Sequence, residues 1–236
     1  MSIFTIGDLH LSFGTDKPMD IFGWGNHTEK IKIDWLEKVN EDDTVIIPGD
    51  FSWAMQLEEA YKDFEFINNL PGKKIISKGN HDYWWNTITK MQKYLKENNF
   101  ETINFMQNNS YLVENKIIVG TRGWLTNNWN TDTNYKILKR ENDRLKLGIK
   151  NGIQNFKTDK EIIVFLHYPP FYKENVPDEI NFIKTMKEFN VHRCFYGHLH
   201  GEAHKDAFVG EINGINFELV SCDYLDFKLK KVTMHG

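Results

Sequence analysis

The chain has 236 residues, enough for one sizeable domain with its own core, and we expect a single domain over residues 1–236. Its net charge of −4 provides no broad basic field, which argues against long nucleic acids as partners. No apolar stretch reaches membrane-spanning length, so no membrane partner is expected.

The cysteines and the N-terminus bear on the compartment. Cys194 and Cys222 stand in apolar, strand-like runs, as buried free thiols do in a reducing environment. The N-terminal segment lacks the basic and apolar regions of a signal peptide. We therefore expect a cytoplasmic protein, and the sequence gives no indication of its oligomeric state.

The first half of the chain alternates short apolar runs with amphipathic segments. Strands are predicted at residues 2–6, 44–47, 73–77 and 102–105. Helices are predicted at residues 27–39, 57–67 and from about 83 to 96, where apolar residues recur with a helical period. A long irregular segment, residues 11–26, precedes the first helix, and segments of this kind are more often functional than structural.

The second half begins and ends with hairpin signals. Residues 110–113 and 116–119 flank Glu114-Asn115, and residues 208–212 and 215–220 flank Asn213-Gly214. Between them we predict a second irregular loop at 121–134, helices at 135–156 and 178–189, and strands at 161–166 and 193–196; a last strand is predicted at 227–232. The pattern predicts an α/β fold, a four-layer α/β/β/α sandwich of two mixed β-sheets flanked by helices, with antiparallel strands at the C-terminus.

Five of the predicted strands end in short loops that carry Asp, Asn or His. The loops are Gly7-Asp8-Leu9-His10, Gly49-Asp50, Gly79-Asn80-His81-Asp82, the single residue His167, and Gly197-His198-Leu199-His200. Because polar loops at the carboxyl ends of strands meet at one edge of an α/β sheet, this arrangement predicts a metal-centred active site.

The donor atoms in these loops suit two ions rather than one. Asp8 and His10 are two residues apart, so an extended strand would point both side chains to one face. The set offers three oxygen ligands and four imidazoles: Asp8, Asp50, Asn80, His10, His167, His198 and His200. Seven ligands are too many for one ion with room for substrate, but they suit two ions bridged by one carboxylate. The absence of cysteine from the set argues against a structural zinc site.

The five blocks, in this order, resemble the motifs of the calcineurin-like metallophosphoesterases. In this chain the pattern stands as Asp8-x-His10, Gly49-Asp50, Gly79-Asn80-His81-Asp82, a lone His167 and Gly197-His198-x-His200, and it spans almost the whole sequence. The resemblance implies a hydrolase with a small phosphorylated substrate and two divalent or trivalent metal ions. Mixed nitrogen and oxygen ligands suit manganese, iron or zinc.

The resemblance also implies a role for each residue. The implied ligands of the first ion are Asp8, His10 and His200. Those of the second ion are Asn80, His167 and His198, with Asp50 as the bridge. His81 is implied to face the leaving group, and Asp82 is implied to orient its ring; the residue-based alternative for Asp82 is a helix N-cap.

The expected mechanism follows from these roles. Two ions about 3.5–4 Å apart are expected to clamp phosphate oxygens and to generate a hydroxide that attacks phosphorus in line. A protonated His81 is expected to assist the leaving group, an effect worth about 10²–10⁴-fold in rate, and Asp82 is expected to raise the pKa of His81.

Two other functions and one further residue stay open at this stage. A nuclease acting on short DNA or RNA is the alternative enzyme, and a non-catalytic protein-interaction scaffold is the alternative of another class. Relatives often carry an arginine near Tyr83-Trp84, so the group that holds the substrate phosphate is not defined. Arg122, between a strand and the second irregular loop, is a candidate for binding phosphate, or else forms a surface salt bridge.

Overall fold

The computed structural model describes residues 1–157 and 160–232. Its strands are β1 (Ile3–Thr5), β2 (Thr44–Pro48), β3 (Lys73–Ser77), β4 (Ile103–Met106), β5 (Ser110–Val113), β6 (Lys116–Thr121), β7 (Ile162–Leu166), β8 (Arg193–Tyr196), β9 (Gly210–Ile212), β10 (Ile215–Leu219) and β11 (Lys230–Lys231). They form two sheets, ordered β11-β1-β2-β3-β4 and β5-β6-β7-β8-β10-β9. Each sheet has a parallel centre and at least one antiparallel edge strand, so both are mixed.

The helices divide between the outer faces of the two sheets. They are α1 (His27–Lys38), α2 (Tyr61–Asn68), α3 (Ile88–Glu97), α4 (Asp132–Phe156) and α5 (Phe182–Glu188). One apolar cluster joins α1, α2 and α3 to the first sheet, and a second joins α4 and α5 to the second sheet. Among residues 1–157 and 160–232, no helix is long and apolar enough to cross a membrane.

Alternation along the strands creates a third apolar layer between the sheets. In β2, Val45 and Ile47 join the cluster on the helix side, whereas Ile46 joins a cluster with Ile163 and Phe195 of the second sheet. Successive strand residues point to opposite faces, so one strand contributes to both layers. The four-layer α/β/β/α sandwich and its two mixed sheets are therefore confirmed.

The structure corrects three helix predictions. The helix predicted at 57–67 begins only at Tyr61, after turns at residues 57–60. The helix predicted from about residue 83 begins only at Ile88, because Thr87 caps it by accepting a hydrogen bond from Lys90 N (3.3 Å), and residues 83–84 form a turn. The helix predicted at 178–189 is split into a 3₁₀ turn, Asp178–Ile180, and α5. Asn181 lies between them in an extended conformation and caps α5 with its side chain, which interrupts a continuous helix.

The C-terminal strands are only partly antiparallel. The Asn213-Gly214 hairpin forms as predicted and joins β9 to β10. β10, however, is parallel to β8, and β11 leaves this sheet to pair antiparallel with β1 in the other. The last strand of the described chain therefore pairs with the first.

Candidate metal centre

The five polar loops meet where the carboxyl ends of the two sheets converge. Gly7 N donates to Val220 O (2.7 Å) and Cys222 N donates to Gly7 O (3.0 Å), which joins the end of β1 to the end of β10 across the sheets. Asp8 N donates to Gly49 O (3.0 Å), and Gly197 N donates to His167 O (3.1 Å). These main-chain bonds fix the loops against one another, so their side chains share one site.

The ligand loops have strained backbones rather than extended ones. Asp8 (φ 57°), His10 (φ 45°), Asp50 (φ 50°) and His198 (φ 75°) all lie in the left-handed region, which non-glycine residues seldom adopt. The expectation that Asp8 and His10 share a face of an extended strand is therefore wrong, and the left-handed turns aim both side chains instead. Such strain persists only where the surroundings hold it, and it clusters at functional sites.

The first group of potential ligands has the predicted members. Asp8, His10 and His200 offer ligand atoms that all lie within 4.8 Å of one another. Asp8 and His10 are buried, and His200 Nε2 is 3.8 Å from Asp8 Oδ1. Three donors at this spacing can hold one ion.

A second group of potential ligands lies beside the first and centres on Asp50. Its ligand atoms come from Asp8, Asp50 and His167, all buried. Asp50 Oδ2 is 3.7 Å from His10 Nε2 and 3.6 Å from His167 Nε2. This single oxygen therefore stands between a ligand predicted for one ion and a ligand predicted for the other.

Asn80 and His198 complete this side of the site. Asn80 Oδ1 is 2.7 Å from His167 Nε2, and the His198 and His167 rings are 5.0 Å apart. His198 N also donates to both oxygens of Asp8, at 3.1 and 3.0 Å. The structure thus brings all seven sequence-predicted ligands together, although Asp8 is closer to His167 (3.5 Å) than the assignment of separate sites implies.

His167 is placed and protonated as a metal ligand would be. Burial lowers the pKa of His167 well below its usual range, so its ring carries a single proton. Its Nδ1 faces Pro48 O at 3.2 Å, and its Nε2 faces Asn80 Oδ1 at 2.7 Å. A neutral ring that donates from Nδ1 to Pro48 O has a lone pair on Nε2, which can bind a cation.

The remaining polar atoms also fit metal ions. His10 Nδ1 and His200 Nε2 are buried without a hydrogen-bond partner in the described residues. In the same parts of the chain, Asp8 and Asp50 form ion pairs only with histidines. Burial raises the pKa of Asp8 to about 7 and raises that of Asp50 as well. Buried carboxylates without a cationic side chain are costly unless a metal ion compensates them, so this donor set fits one.

Asp82 has a different role from the predicted one. Its carboxylate accepts hydrogen bonds from five donors: Asp50 N (2.9 Å), Phe51 N (2.9 Å), Ser52 N (3.3 Å), Gly79 N (2.7 Å) and Trp84 Nε1 (3.0 Å). None of these contacts involves the His81 ring, and no helix begins at Asp82. The predictions that Asp82 orients His81 or caps a helix are therefore wrong, and Asp82 instead ties the loop after β2 to the loop after β3.

His81 lies at the edge of the metal-ligand cluster. Its main-chain N donates to Asp50 Oδ1 (2.8 Å), and its half-buried ring packs 4.4 Å from the Trp53 ring. In the described residues Nδ1 has no hydrogen-bond partner. Burial lowers the pKa of His81, and Asp50 is the carboxylate that opposes this. The expected rise caused by Asp82 is therefore absent.

The sequence analysis missed Asp223, which supports His200. His200 Nδ1 lies 2.8 Å from Asp223 Oδ1, and Gly201 N donates to Asp223 Oδ2 (3.0 Å). A carboxylate on one ring nitrogen orients the other nitrogen toward a metal and raises its basicity. A signal was present, because Asp223 closely follows the predicted strand at 215–220, as the other ligands follow theirs.

Arg122 lies outside the metal-ligand cluster but next to it. Tyr168 N, directly after His167, donates to Arg122 O (2.9 Å), and the Arg122 guanidinium lies over the Trp124 ring at 4.5 Å. Its side chain lines a cavity of about 260 Å³. A separate cavity of about 430 Å³ reaches His198, and its lining includes the aromatic side chains of Trp124, Tyr168 and Phe171.

The fold is an α/β/β/α sandwich, and its loops present a donor set that suits metal ions. A model of the calcineurin-like phosphoesterase family matches residues 1–202, and the chain belongs to this family. Metal-dependent phosphoester hydrolysis and a binuclear metal site are properties of the family, and the Asp and His groups above can hold the ions.

Solved structures show the same fold at low sequence identity. A Thermus thermophilus protein, TT1561, has a TM-score of 0.56 at 13% identity, covering 97% of this chain and 96% of its own. The phosphopantetheinyl hydrolase PptH from Mycobacterium tuberculosis has a TM-score of 0.54 at 14% identity, covering 99% and 96%. The protein of unknown function AQ665 from Aquifex aeolicus has a TM-score of 0.51 at 18% identity, covering 98% and 95%. No curated protein matches the chain.

Proposed function

We propose that this protein hydrolyses a small phosphoester at a two-metal site, with Asp50 as the bridging ligand and His81 beside the leaving group. The observation that supports this most directly is the position of Asp50 Oδ2, 3.7 Å from His10 Nε2 and 3.6 Å from His167 Nε2. A carboxylate oxygen placed between two sets of ligands suits two adjacent ions.

The proposed ligands divide around that oxygen. Asp8, His10 and His200 would hold one ion, and Asn80, His167 and His198 the other. When bound, two ions neutralise phosphate charge and lower the pKa of a coordinated water. Manganese, iron and zinc all suit this mixture of donors.

His81 is proposed to assist the departing oxygen. The hydrogen bond from its main chain to Asp50 fixes the loop to the metal-ligand cluster, and Trp53 packs against its ring. The unpartnered Nδ1 leaves the ring without a competing acceptor in the described chain. A proton transferred from His81 to the leaving oxygen is worth about 10²–10⁴-fold in rate.

The test is hydrolysis of chromogenic phosphate monoesters and diesters by metal-free protein to which manganese, iron or zinc is added. Turnover of one ester class is expected, and no turnover with any of these metals would overturn the proposal. His81→Ala is expected to keep its metal content and to lose about 10²–10⁴-fold in kcat. Loss of the metals together with activity would show that His81 supports the ligands instead.

Peripheral His192, which is exposed and bonds Gly214 O at 3.1 Å, provides the matched control. His192→Ala removes the same side chain directly before β8, at the end of the strand opposite the His198 loop, and its kcat should equal that of the wild type. Short single-stranded and duplex oligonucleotides belong in the same screen, because a nuclease is the alternative enzyme. Phosphopantetheinyl compounds also belong there, since one protein of this fold is a phosphopantetheinyl hydrolase.

The two cysteines support a cytoplasmic location for this activity. Cys194 and Cys222 are buried free thiols, and burial raises the pKa of both. Unpaired thiols of this kind are typical of proteins that work in a reducing compartment.

A further inference from the structure

The cavity that Arg122 lines is cationic. Four basic side chains face it, together with one acidic side chain: Lys78, Arg122, Arg140, Arg144 and Glu141. Five charged groups with four positive charges leave a net charge of +3 in a chain whose total charge is −4. The cavity is therefore positively charged in a molecule whose net charge is negative.

The single carboxylate in the cavity forms ion pairs with only two of the four cations. Glu141 is buried, and its Oε1 accepts from Arg144 Nη1 (2.8 Å) and Arg140 Nε (3.3 Å). Its other oxygen accepts from the Thr121 hydroxyl. Throughout the described ranges, 1–157 and 160–232, neither Lys78 nor Arg122 forms an ion pair with a carboxylate.

Half-buried cations without a carboxylate partner are costly, and a bound anion would compensate them. Lys78 and Arg122 are both half-buried, so water screens them less than it screens surface lysines and arginines. Arg122 also stacks over Trp124, which holds the plane of its guanidinium in place and leaves its N–H groups available. Planar guanidinium groups bind phosphate and carboxylate oxygens bidentately.

The cavity adjoins the metal-ligand loops through both unpaired cations. Lys78 is two residues before Asn80, a separation of at most about 7 Å along the chain. Arg122 directly follows β6, whose last residue, Thr121, is paired with Leu166, the residue before His167. The cavity wall therefore includes two residues that adjoin metal-ligand loops, one before Asn80 in sequence and one next to the strand that ends before His167.

We infer that this cavity binds a second anionic group of the substrate. The cavity volume, about 260 Å³, is just below the ~300 Å³ at which ligand pockets usually begin, so it suits one small group and not a whole substrate. The substrate class is then a phosphoester that carries a second phosphate or a carboxylate. This inference rests on the proposed function, since the phosphoryl group that reacts is the one at the metal centre.

The test compares two esters that differ in one anion. The value of kcat/KM is measured for glucose 6-phosphate and for glucose 1,6-bisphosphate. Each ester is assayed with the manganese-loaded wild type, Arg122→Gln and Lys150→Gln. Lys150 is on the same helix as Arg140 and Arg144 but is exposed and does not line the cavity. Lys150→Gln therefore changes the net charge by the same amount as Arg122→Gln.

Wild type and Lys150→Gln are expected to prefer the bisphosphate by about 10- to 100-fold, which is the effect of one charge-assisted hydrogen bond or more. Arg122→Gln should lose most of this ratio, through a higher KM for the bisphosphate. Equal kcat/KM for both esters in wild type, or an unchanged ratio in Arg122→Gln, would overturn the inference while the proposed function stands. Isothermal titration of inorganic pyrophosphate provides a readout without turnover: binding that Arg122→Gln does not weaken contradicts the inference.

Discussion

The Asp82 carboxylate provides the sharpest test of how the site is built. All five of its contacts are hydrogen-bond donors, so only the ionised carboxylate satisfies them all. Asp82→Asn preserves the shape but replaces one oxygen with an NH₂ group. If the amide faces the Oδ2 side, Asp50 N and Gly79 N lose their acceptor. Each buried donor left unsatisfied costs about 1–3 kcal/mol, so the expected loss of stability is about 2–6 kcal/mol.

The assay is urea denaturation of metal-free wild type and Asp82→Asn, with Asp42→Asn as the control. Asp42 is exposed, so its amide should leave the free energy of unfolding within about 0.5 kcal/mol of the wild type. Metal-free protein is used because the tie between the two loops is independent of bound ions. Asp82→Asn should also bind metal more weakly, since it loosens the main chain of Asp50.

One outcome would refute the structural account of Asp82. If Asp82→Asn unfolds like the wild type and binds its metals normally, yet loses activity as His81→Ala does, then Asp82 acts through the His81 ring. The double variant Asp82→Asn/His81→Ala distinguishes the two roles. If Asp82 and His81 act independently, the losses of stability in the two single variants should add. If Asp82 acts through His81, the double variant should be no less active than either single variant.

Two further substitutions test neighbouring carboxylates. Asp223→Asn removes the anionic partner of His200 and should weaken metal binding about 10–100-fold, measured by competition with a chelator of known affinity. Burial raises the pKa of Asp63 from 3.8 to about 6, so the folded state favours the protonated carboxyl. The contribution of this group to the free energy of unfolding is complete below pH 3.8 and is lost as the pH rises to about 6. Asp63→Asn keeps the oxygen that accepts from Phe13 N but replaces the oxygen that accepts from the Ser52 hydroxyl. It should therefore raise stability at pH 7, relative to its effect at pH 4, by up to about 3 kcal/mol, measured by thermal unfolding. Equal stabilisation at both pH values would contradict this.

Much of the fold was predictable because strand ends and turns have local signatures. The ends of β3 and β8 and the Asn213-Gly214 hairpin agree with the sequence predictions. The partner of β11 was not predictable, since pairing between the first and last strands is decided by packing across the whole chain. Helix α3 was misplaced because the apolar period continues upstream of Thr87, where Asp82 holds Trp84 in a turn.

In the site, the residues were predictable and their geometry was not. The seven candidate ligands were identifiable from the sequence, but the left-handed backbone at Asp8 and Asp50 depends on contacts between loops distant in sequence. One such contact is the close approach of Gly79 to Asp50: a Cβ on Gly79 would collide with the Asp50 carboxylate. The contacts of Asp82 were mispredicted for the same reason, because three of its five donors lie in a loop about thirty residues away in the sequence.

The proposed hydrolase activity requires two ions held around Asp50. Its most direct test is a titration of manganese into metal-free protein, with the initial rate of phosphoester hydrolysis followed against the molar ratio of metal to chain. The activity is expected to rise to a plateau at two equivalents of manganese per chain. A plateau at one equivalent, or no activity at any ratio, would contradict it.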